Sequence, residues 1–186
     1  MFRYHPDPIA TGSAERAEFV CHVCGQHREV RYTGPIYGRR AENLCLDCIH
    51  SGEASRALGT VAVPLHDGET LEMPAEFSDA VGVPDDVPRD VVTEITQRTP
   101  GFVGWQQESW LYHCADGAAY LGPAGHAELQ RHPDAYDIIR TDLLERGWPA
   151  EEADNFMRRF DRTGEPTAYL FRCLHCTTHL ASWDIG

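Results

Sequence analysis

The sequence lacks long apolar stretches. No part of it approaches the roughly 18 consecutive apolar residues of a membrane-spanning helix, and the first residues, which include Pro6 and Pro8, have no apolar run typical of a secretory signal. The chain has seven cysteines, most of them in pairs with a two-residue spacer, and this use suits a reducing compartment better than an exported disulfide scaffold. We therefore expect a cytoplasmic protein with no membrane segment.

Positive charge is also scarce. The 186 residues include 16 Lys and Arg against 29 Asp and Glu, for a net charge of −13. A protein that binds nucleic acid through its phosphates needs many cations, so a nucleic-acid partner is disfavoured. Complementary charge instead raises the association rate with partners of opposite sign. The expected partner is a protein, with a basic toxin as one such partner. The expected contact is the acidic connection from Asp67 to Asp90, and a solubilising loop with no partner is the alternative.

Familiar catalytic motifs are missing. The sequence has neither the His-Glu-x-x-His spacing of zinc hydrolases nor the Gly-x-Ser-x-Gly turn of serine hydrolases. One group of residues could support metal-assisted hydrolysis if a metal ion with an open coordination position lay among them. These residues are Glu108, His113, Cys114 and Asp116. A non-catalytic protein is the favoured interpretation, and a zinc-dependent hydrolase or a nucleic-acid-binding zinc ribbon is the alternative.

Two pairs of cysteines in the first third of the chain point to a metal site. Cys21 and Cys24 are separated by two residues, and after a further twenty residues Cys45 and Cys48 repeat the spacing. Two such turns complete the tetrahedral shell of a structural Zn²⁺ ion, which leaves no position open for a substrate water. The alternatives are four reduced thiols packed as small hydrophobic side chains, or two disulfides. Zinc is the favoured interpretation, because paired spacings of this kind rarely arise by chance.

A third cysteine pair, Cys173 and Cys176, needs two further ligands. Cys114 is the remaining cysteine in the chain. The spacing from Cys176 to His179 is short enough for both side chains to reach one metal ion, so a second Zn²⁺ site is predicted from Cys114, Cys173, Cys176 and His179. A knuckle that folds without metal is the alternative. Other residues that could supply the fourth ligand are His113, His175 and Asp116.

The remaining patterns predict an α+β protein. Residues 1–60 are expected to form a treble-clef-like or zinc-ribbon module, in which the second cysteine pair opens a helix. Residues 61–90 form a connection with short strands at 60–63 and 70–73. Residues 91–186 form an α+β region with β-hairpins, a helical pair and a second Cys-x-x-Cys knuckle. We expect one hairpin to reverse at Asp116-Gly117, which is a strong turn pair. Whether these parts pack as one domain is left open.

Several stretches along the chain carry a combined resemblance to a known family. They are residues 2–8, 21–25, 32–35, 42–49, 98–102, 105–107, 110–111, 113–116 and 171–176. Through them, nearly the whole chain resembles the CbrC family, bacterial proteins named for a colicin E2 tolerance phenotype. The resemblance implies a cytoplasmic, zinc-stabilised protein with no established catalytic activity, which acts through a protein partner in toxin tolerance or a stress response.

Overall fold

A computed structural model describes residues 1–38, 41–64, 70–79 and 81–186. The chain combines small antiparallel sheets with six helices among these residues. Asp67 and Glu69, two acids of the predicted contact, lie outside them. The strands are β1 (Ala14–Val20), β2 (His27–Tyr32), β3 (Thr60–Pro64), β4 (Thr70–Pro74), β5 (Tyr112–His113), β6 (Asp116–Gly117), β7 (Ala119–Ala124), β8 (Thr167–Arg172) and β9 (His179–Asp184). The helices are α1 (Leu46–His50), α2 (Glu53–Ala57), α3 (Arg89–Arg98), α4 (His126–Leu129), α5 (Pro133–Glu145) and α6 (Ala150–Met157).

The first part of the chain is a hairpin followed by two short helices. Strands β1 and β2 pair antiparallel, with Ala14 opposite Tyr32, and the first Cys-x-x-Cys turn joins them. Helix α1 begins directly after Cys45. The hairpin and the helices enclose a small core that includes Leu44, Ile49 and Phe77. This order of elements agrees with the sequence analysis, while the finer assignment to a treble-clef fold stays a prediction.

The connection that follows contains the two predicted short strands. Strands β3 and β4 pair antiparallel, with Thr60 opposite Pro74. Helix α3 then buries Ile95 and ends at Arg98, because Thr99 precedes Pro100 and a residue before proline disfavours the helical conformation. The early Pro88 and the apolar positions Val91, Val92 and Ile95 predict a helix at 88–99, and the structure agrees with this within one residue at each end.

The last part of the chain is a three-stranded sheet covered by helices. The strand order is β7-β8-β9, and every neighbouring pair is antiparallel. Helix α5 packs on β9 and α6 packs on α5. Their apolar faces meet the sheet through residues that include Ile139, Leu143, Phe156 and Met157, which are buried in one core. These are the predicted helical pair and C-terminal strands.

The predicted reversal at Asp116-Gly117 is wrong by one pair of residues. The two residues form β6, and the chain turns at Cys114 and Ala115, whose φ angles are +53° and +55°. Positive φ at both central residues is the signature of a type I′ hairpin turn, which asparagine and glycine usually occupy. Gly117 is required for space instead: a Cβ atom there would lie 2.4 Å from Cδ1 of Ile95.

An aromatic core joins the amino-terminal residues to the C-terminal sheet. Tyr4 is fully buried in it, together with Phe102, Trp110 and Tyr120. The rings of Phe102 and Tyr120 stack with centroids 4.1 Å apart. Residues from the predicted first and third parts thus share one core, and the domain boundaries stay predictions. Among the described residues, every helix is too short or too polar to cross a membrane.

Candidate metal centres

The first cluster of cysteines is built on the turn between β1 and β2. The backbone N–H of Cys21 donates to the carbonyl of Gln26 at 2.9 Å, and the N–H of Gly25 donates to the carbonyl of Cys21 at 2.9 Å. Gly25 has φ of +66°, which a residue with a side chain adopts only at a cost. This tight turn points the thiols of Cys21 and Cys24 to the same side.

Helix α1 supplies the other half of the first cluster. Cys45 caps the helix and Cys48 lies within its first turn, so both thiols face the hairpin. One ligand atom from each of the four cysteines lies within 4.8 Å of the others, and the Sγ atoms of Cys21 and Cys48 are 3.9 Å apart. A tetrahedral shell with metal–sulfur bonds of about 2.3 Å has an edge of about 3.8 Å. The four thiols therefore fit one metal ion.

The same distances decide against the disulfide alternative. All seven cysteines of the chain are free thiols. A disulfide requires the two sulfur atoms to approach to about 2.05 Å, far less than the separation of Cys21 and Cys48.

Nearby charges and burial have opposite effects on the thiols of the first cluster. Hydrogen bonds from the Gln26 backbone and from the Arg28 guanidinium, which lies 3.8 Å from Cys24 Sγ, lower the pKa of Cys24 to about 6. Burial raises the pKa of Cys45 and of Cys48. Without a cation, the buried thiols stay protonated at neutral pH. A bound metal ion would supply the positive charge that holds all four as thiolates.

The second cluster combines the C-terminal knuckle with the hairpin turn at Cys114. The N–H of Cys173 donates to the carbonyl of Thr178 at 2.9 Å, which repeats the five-residue span of the Cys21–Gln26 bond. The N–H of His175 donates to Cys173 Sγ at 3.3 Å. Hydrogen bonds from the side chain and backbone of Thr178 lower the pKa of Cys176 to about 6. The two knuckles therefore share this one backbone hydrogen bond, while the left-handed residue of the first, Gly25, has no counterpart at Thr177.

Four donor atoms also meet at the second cluster. The Nδ1 atom of His113 lies 3.2 Å from Cys114 Sγ and 3.5 Å from Cys176 Sγ, and Cys173 completes the group within 4.8 Å. A tetrahedral edge between a histidine nitrogen and a cysteine sulfur is about 3.6 Å when the bonds are about 2.1 and 2.3 Å. This cluster therefore also could hold a metal ion.

The structure brings His113 to the second cluster as its fourth donor, whereas the sequence analysis predicts His179 in this role. The backbone N–H of His179 donates to the carboxylate of Asp134, and its ring lies 4.1 Å from the ring of His132, centroid to centroid. His179 opens β9 opposite Arg172, so it faces the amino-terminal end of α5. The turn at Cys114 and Ala115 determines the position of His113, which directly precedes it. The sequence analysis expects this turn two residues later, at Asp116-Gly117.

The catalytic residues suggested by the sequence do not assemble into one site. Cys114 and His113 belong to the second cluster, but Glu108 is buried and accepts a hydrogen bond from the hydroxyl of Tyr37. Burial raises the pKa of Glu108. In the described part of the chain, Glu108 is not among the groups of side chains that could hold a metal ion.

Asp116 is the centre of a buried hydrogen-bond network that the sequence analysis does not predict. Its Oδ1 atom accepts from the hydroxyl of Tyr4 at 2.7 Å and from its neighbour Gly117 N–H at 2.8 Å. Its Oδ2 atom lies 2.5 Å from Arg3 Nη2 and 2.6 Å from His175 Nε2. Burial alone would raise the pKa of Asp116, but the bonds from Tyr4 and His175 outweigh it, so the pKa lies below its ordinary value.

The chain belongs to the uncharacterised protein family UPF0167, whose profile matches residues 1–185. It is 46% identical to UPF0167 protein Mb2317 of Mycobacterium bovis and to UPF0167 protein MT2352 of Mycobacterium tuberculosis, in each case over all of this chain and 93% of the relative. It is 35% identical to UPF0167 protein PA1536 of Pseudomonas aeruginosa, over 94% of this chain and 90% of that protein. No solved structure matches.

These matches correct the resemblance to the CbrC family. The family that covers the chain is UPF0167, and the curated relatives above carry that name. The assignment to the CbrC family is therefore wrong, and the link to colicin tolerance that depended on it is withdrawn.

Proposed function

We propose that this protein binds two structural Zn²⁺ ions and works as a non-catalytic factor that binds a basic protein. The observation that supports the zinc assignment most directly is the completeness of both donor groups. Each brings together four protein ligands, Cys₄ in the first cluster and Cys₃His in the second, at separations that fit a tetrahedral shell.

The donor set favours zinc over other metal ions. Magnesium and calcium prefer oxygen ligands, and these clusters offer thiols and one imidazole. Zinc takes thiolate and imidazole ligands in tetrahedral geometry without a redox change. A shell filled by four side chains leaves no position for a substrate water, and this supports a structural role for both ions.

The charge of the chain supports a basic partner. The net charge is −13, and Asp85, Asp86 and Asp90 are all exposed at the end of the predicted acidic connection. Asp85 and Asp86 lie in the loop before α3, and Asp90 lies in the first turn of that helix. Exposed acids in a loop are available to a partner, and loops carry binding functions more often than core elements do. Charge complementarity increases the association rate and selects among partners.

Metal analysis of the purified full chain tests the zinc assignment. We expect two zinc ions per chain. The two clusters together supply seven thiols and one imidazole, so X-ray absorption averaged over both ions should show sulfur ligands and nitrogen ligands in a ratio of seven to one. A shell that contains a water oxygen would contradict the structural role and would support the zinc hydrolase. A zinc content near zero would contradict the proposal.

Two matched variants test the partner. Asp85→Asn, Asp86→Asn and Asp90→Asn together remove three exposed charges from the connection, and Asp137→Asn, Glu151→Gln and Glu152→Gln together remove three exposed charges from the helical pair. With an oligolysine peptide as the probe, we expect slower association and a weaker salt dependence for the first variant only. Equal rates for both variants would contradict this contact, and binding of duplex DNA by the unchanged protein would favour the nucleic-acid alternative.

A further inference from the structure

The two clusters differ in their exposure to solvent. In the first, Cys21, Cys45 and Cys48 expose only 1–2% of their surface and belong to a hydrophobic core, and Cys24 is partly buried. In the second, Cys114 and Cys176 are exposed, and only Cys173 is buried. Oxidants in solution therefore have access to two exposed sulfur atoms of the second cluster, whereas in the first they meet three buried cysteines and the partly buried Cys24.

The backbone holds the Cys114 thiol in this exposed position. Cys114 and Ala115 both adopt the left-handed conformation, which costs roughly 1–2 kcal/mol for a residue with a side chain. The turn puts Cys114 within 4.8 Å of Cys176, although 62 positions separate the two in the sequence. Two exposed thiols from distant parts of the chain thus meet at one point.

A second contact holds the same two loops together without a metal ion. Nε2 of His175, inside the knuckle, lies 2.6 Å from Oδ2 of Asp116, directly after the hairpin turn. Asp116 is itself buried and bonded to Tyr4 and to its neighbour Gly117. The hairpin and the knuckle therefore have a connection that does not pass through the cluster, and loss of the metal ion need not separate them.

From these contacts we propose that the second cluster is an oxidation-sensitive zinc site, at which a hydroperoxide converts Cys114 and Cys176 to a disulfide and releases the metal ion. This rests on the proposed function, because it takes zinc as the ion in the second cluster. The first cluster keeps its zinc under the same conditions. The modified atoms are the exposed Sγ atoms of Cys114 and Cys176, and the oxidant is a hydroperoxide such as hydrogen peroxide.

The reaction balances with hydrogen peroxide as the oxidant. One thiolate attacks a peroxide oxygen, so that an S–O bond forms, the O–O bond breaks and hydroxide leaves. The second thiolate then attacks this sulfur, so that the S–S bond forms, the S–O bond breaks and a second hydroxide leaves. Two electrons pass from the two sulfurs to the peroxide. Of the four side chains that would hold the ion, only His113 and Cys173 would remain available as ligands, so the site would no longer retain it.

In the oxidised protein, the hairpin turn at Cys114 and the C-terminal knuckle remain linked. The new disulfide joins the hairpin turn to the knuckle, as the zinc ion did before. The Asp116–His175 contact remains beside it. Oxidation therefore changes the metal content and the surface at this end of the molecule without unfolding the sheet.

The test uses the full chain loaded with zinc, treated with one equivalent of hydrogen peroxide. We expect a chromogenic chelator to detect one zinc ion released per chain, and peptide mapping to find a disulfide between Cys114 and Cys176. Dithiothreitol with added zinc should restore the original content. The control is Cys176→His, which keeps four ligands but removes one exposed thiol; its zinc release should be slower by on the order of tenfold, since oxidation follows thiolate exposure.

The outcomes separate this inference from the proposed function. The zinc content before peroxide tests the proposed function alone. If the chain holds two zinc ions and peroxide releases neither, releases both at the same rate, or forms a disulfide between other cysteines, the oxidation-sensitive site is wrong while the structural zinc sites stand. If Cys176→His fails to hold zinc, peptide mapping of the unchanged protein after peroxide treatment tests the inference by itself: a Cys114–Cys176 disulfide supports it, and any other disulfide contradicts it.

Discussion

The hydroxyl of Tyr4 donates a hydrogen bond to Oδ1 of Asp116, 2.7 Å away and 112 residues further along the chain. Tyr4 is fully buried, and Asp116 follows the turn that carries Cys114. The carboxylate also contacts His175 inside the C-terminal knuckle. The amino-terminal segment therefore supports the second cluster through one buried carboxylate.

Replacing Tyr4 with phenylalanine should destabilise the protein. The change removes a hydrogen bond to a buried charged group, which typically costs about 1.5–3 kcal/mol of unfolding free energy. Urea unfolding of Tyr4→Phe measures this loss. The control is Tyr136→Phe, because the Tyr136 hydroxyl has no hydrogen bond within the described ranges; equal stability of the two variants would contradict a supporting role for the bond.

Cys45→Ser should release the first metal ion and loosen the hairpin around it. Cys45 caps α1 and belongs to the same small core as Leu44 and Ile49. Metal binding and folding are coupled in such modules, so the loss of one thiolate should increase amide exchange through β1, β2 and α1. Hydrogen-exchange mass spectrometry checks this, and one zinc ion should remain in the second cluster. A fully protected, zinc-free hairpin would contradict the prediction.

His113 and His179 should differ in their effect on zinc content. His113 Nδ1 lies among the thiols of the second cluster, and His179 lies against Asp134 and His132. His113→Asn should therefore lower the zinc content from two ions to about one, because the second site loses one of its four ligands. His179→Asn should leave it unchanged. The reverse result would restore His179 as the ligand.

Stability should fall in acid because of His5. Its Nδ1 lies 2.6 Å from the carbonyl oxygen of Pro100, so this nitrogen carries the proton, and Nε2 contacts Thr11 Oγ1 at 2.6 Å. Burial lowers the pKa of His5 from 6.5 to about 4. The unfolded chain therefore binds more protons between these values, and the contribution of His5 is complete above pH 6.5 and declines as the pH falls towards 4, by about 3 kcal/mol in total.

The pH effect is measured as a difference between two proteins. The unfolding free energy of the unchanged chain minus that of His5→Gln should decrease steadily from pH 6.5 to pH 4. Both proteins carry the same cysteine clusters, so acid release of zinc affects them equally. A constant difference across this range would show that His5 is not the group responsible.

Gly117→Ala should destabilise the hairpin that carries Cys114. The added Cβ would lie 2.4 Å from Cδ1 of Ile95 and 3.0 Å from Cε1 of Tyr4, so neighbouring side chains must shift. Overpacking of this kind typically costs about 1–3 kcal/mol. Ile95→Val removes the Cδ1 atom, and the double variant should therefore be less destabilised than the sum of the single changes. Strict additivity would contradict the steric explanation.

The elements with a local pattern could be predicted from the sequence. Strands β3 and β4, helix α3 and the pair α5 and α6 appear where local sequence patterns indicate them. The first cluster belongs with these, since its ligands lie in one short segment and the two-residue spacers limit where the thiols can point. The turn at Cys114 could not be predicted in this way, because Gly117 is required by contact with Ile95 and not by its own backbone angle.

By itself the sequence determined that Cys21, Cys24, Cys45 and Cys48 come in two pairs spaced for one metal ion, and that Cys114 is the remaining thiol for Cys173 and Cys176. Only the tertiary structure decided which histidine completes the second group. His113 and Cys176 are 63 residues apart, and their 3.5 Å contact depends on the hairpin, the sheet and the buried carboxylate of Asp116 packing together. Residue spacing limits which side chains can meet within one turn, and packing decides which meet across the fold.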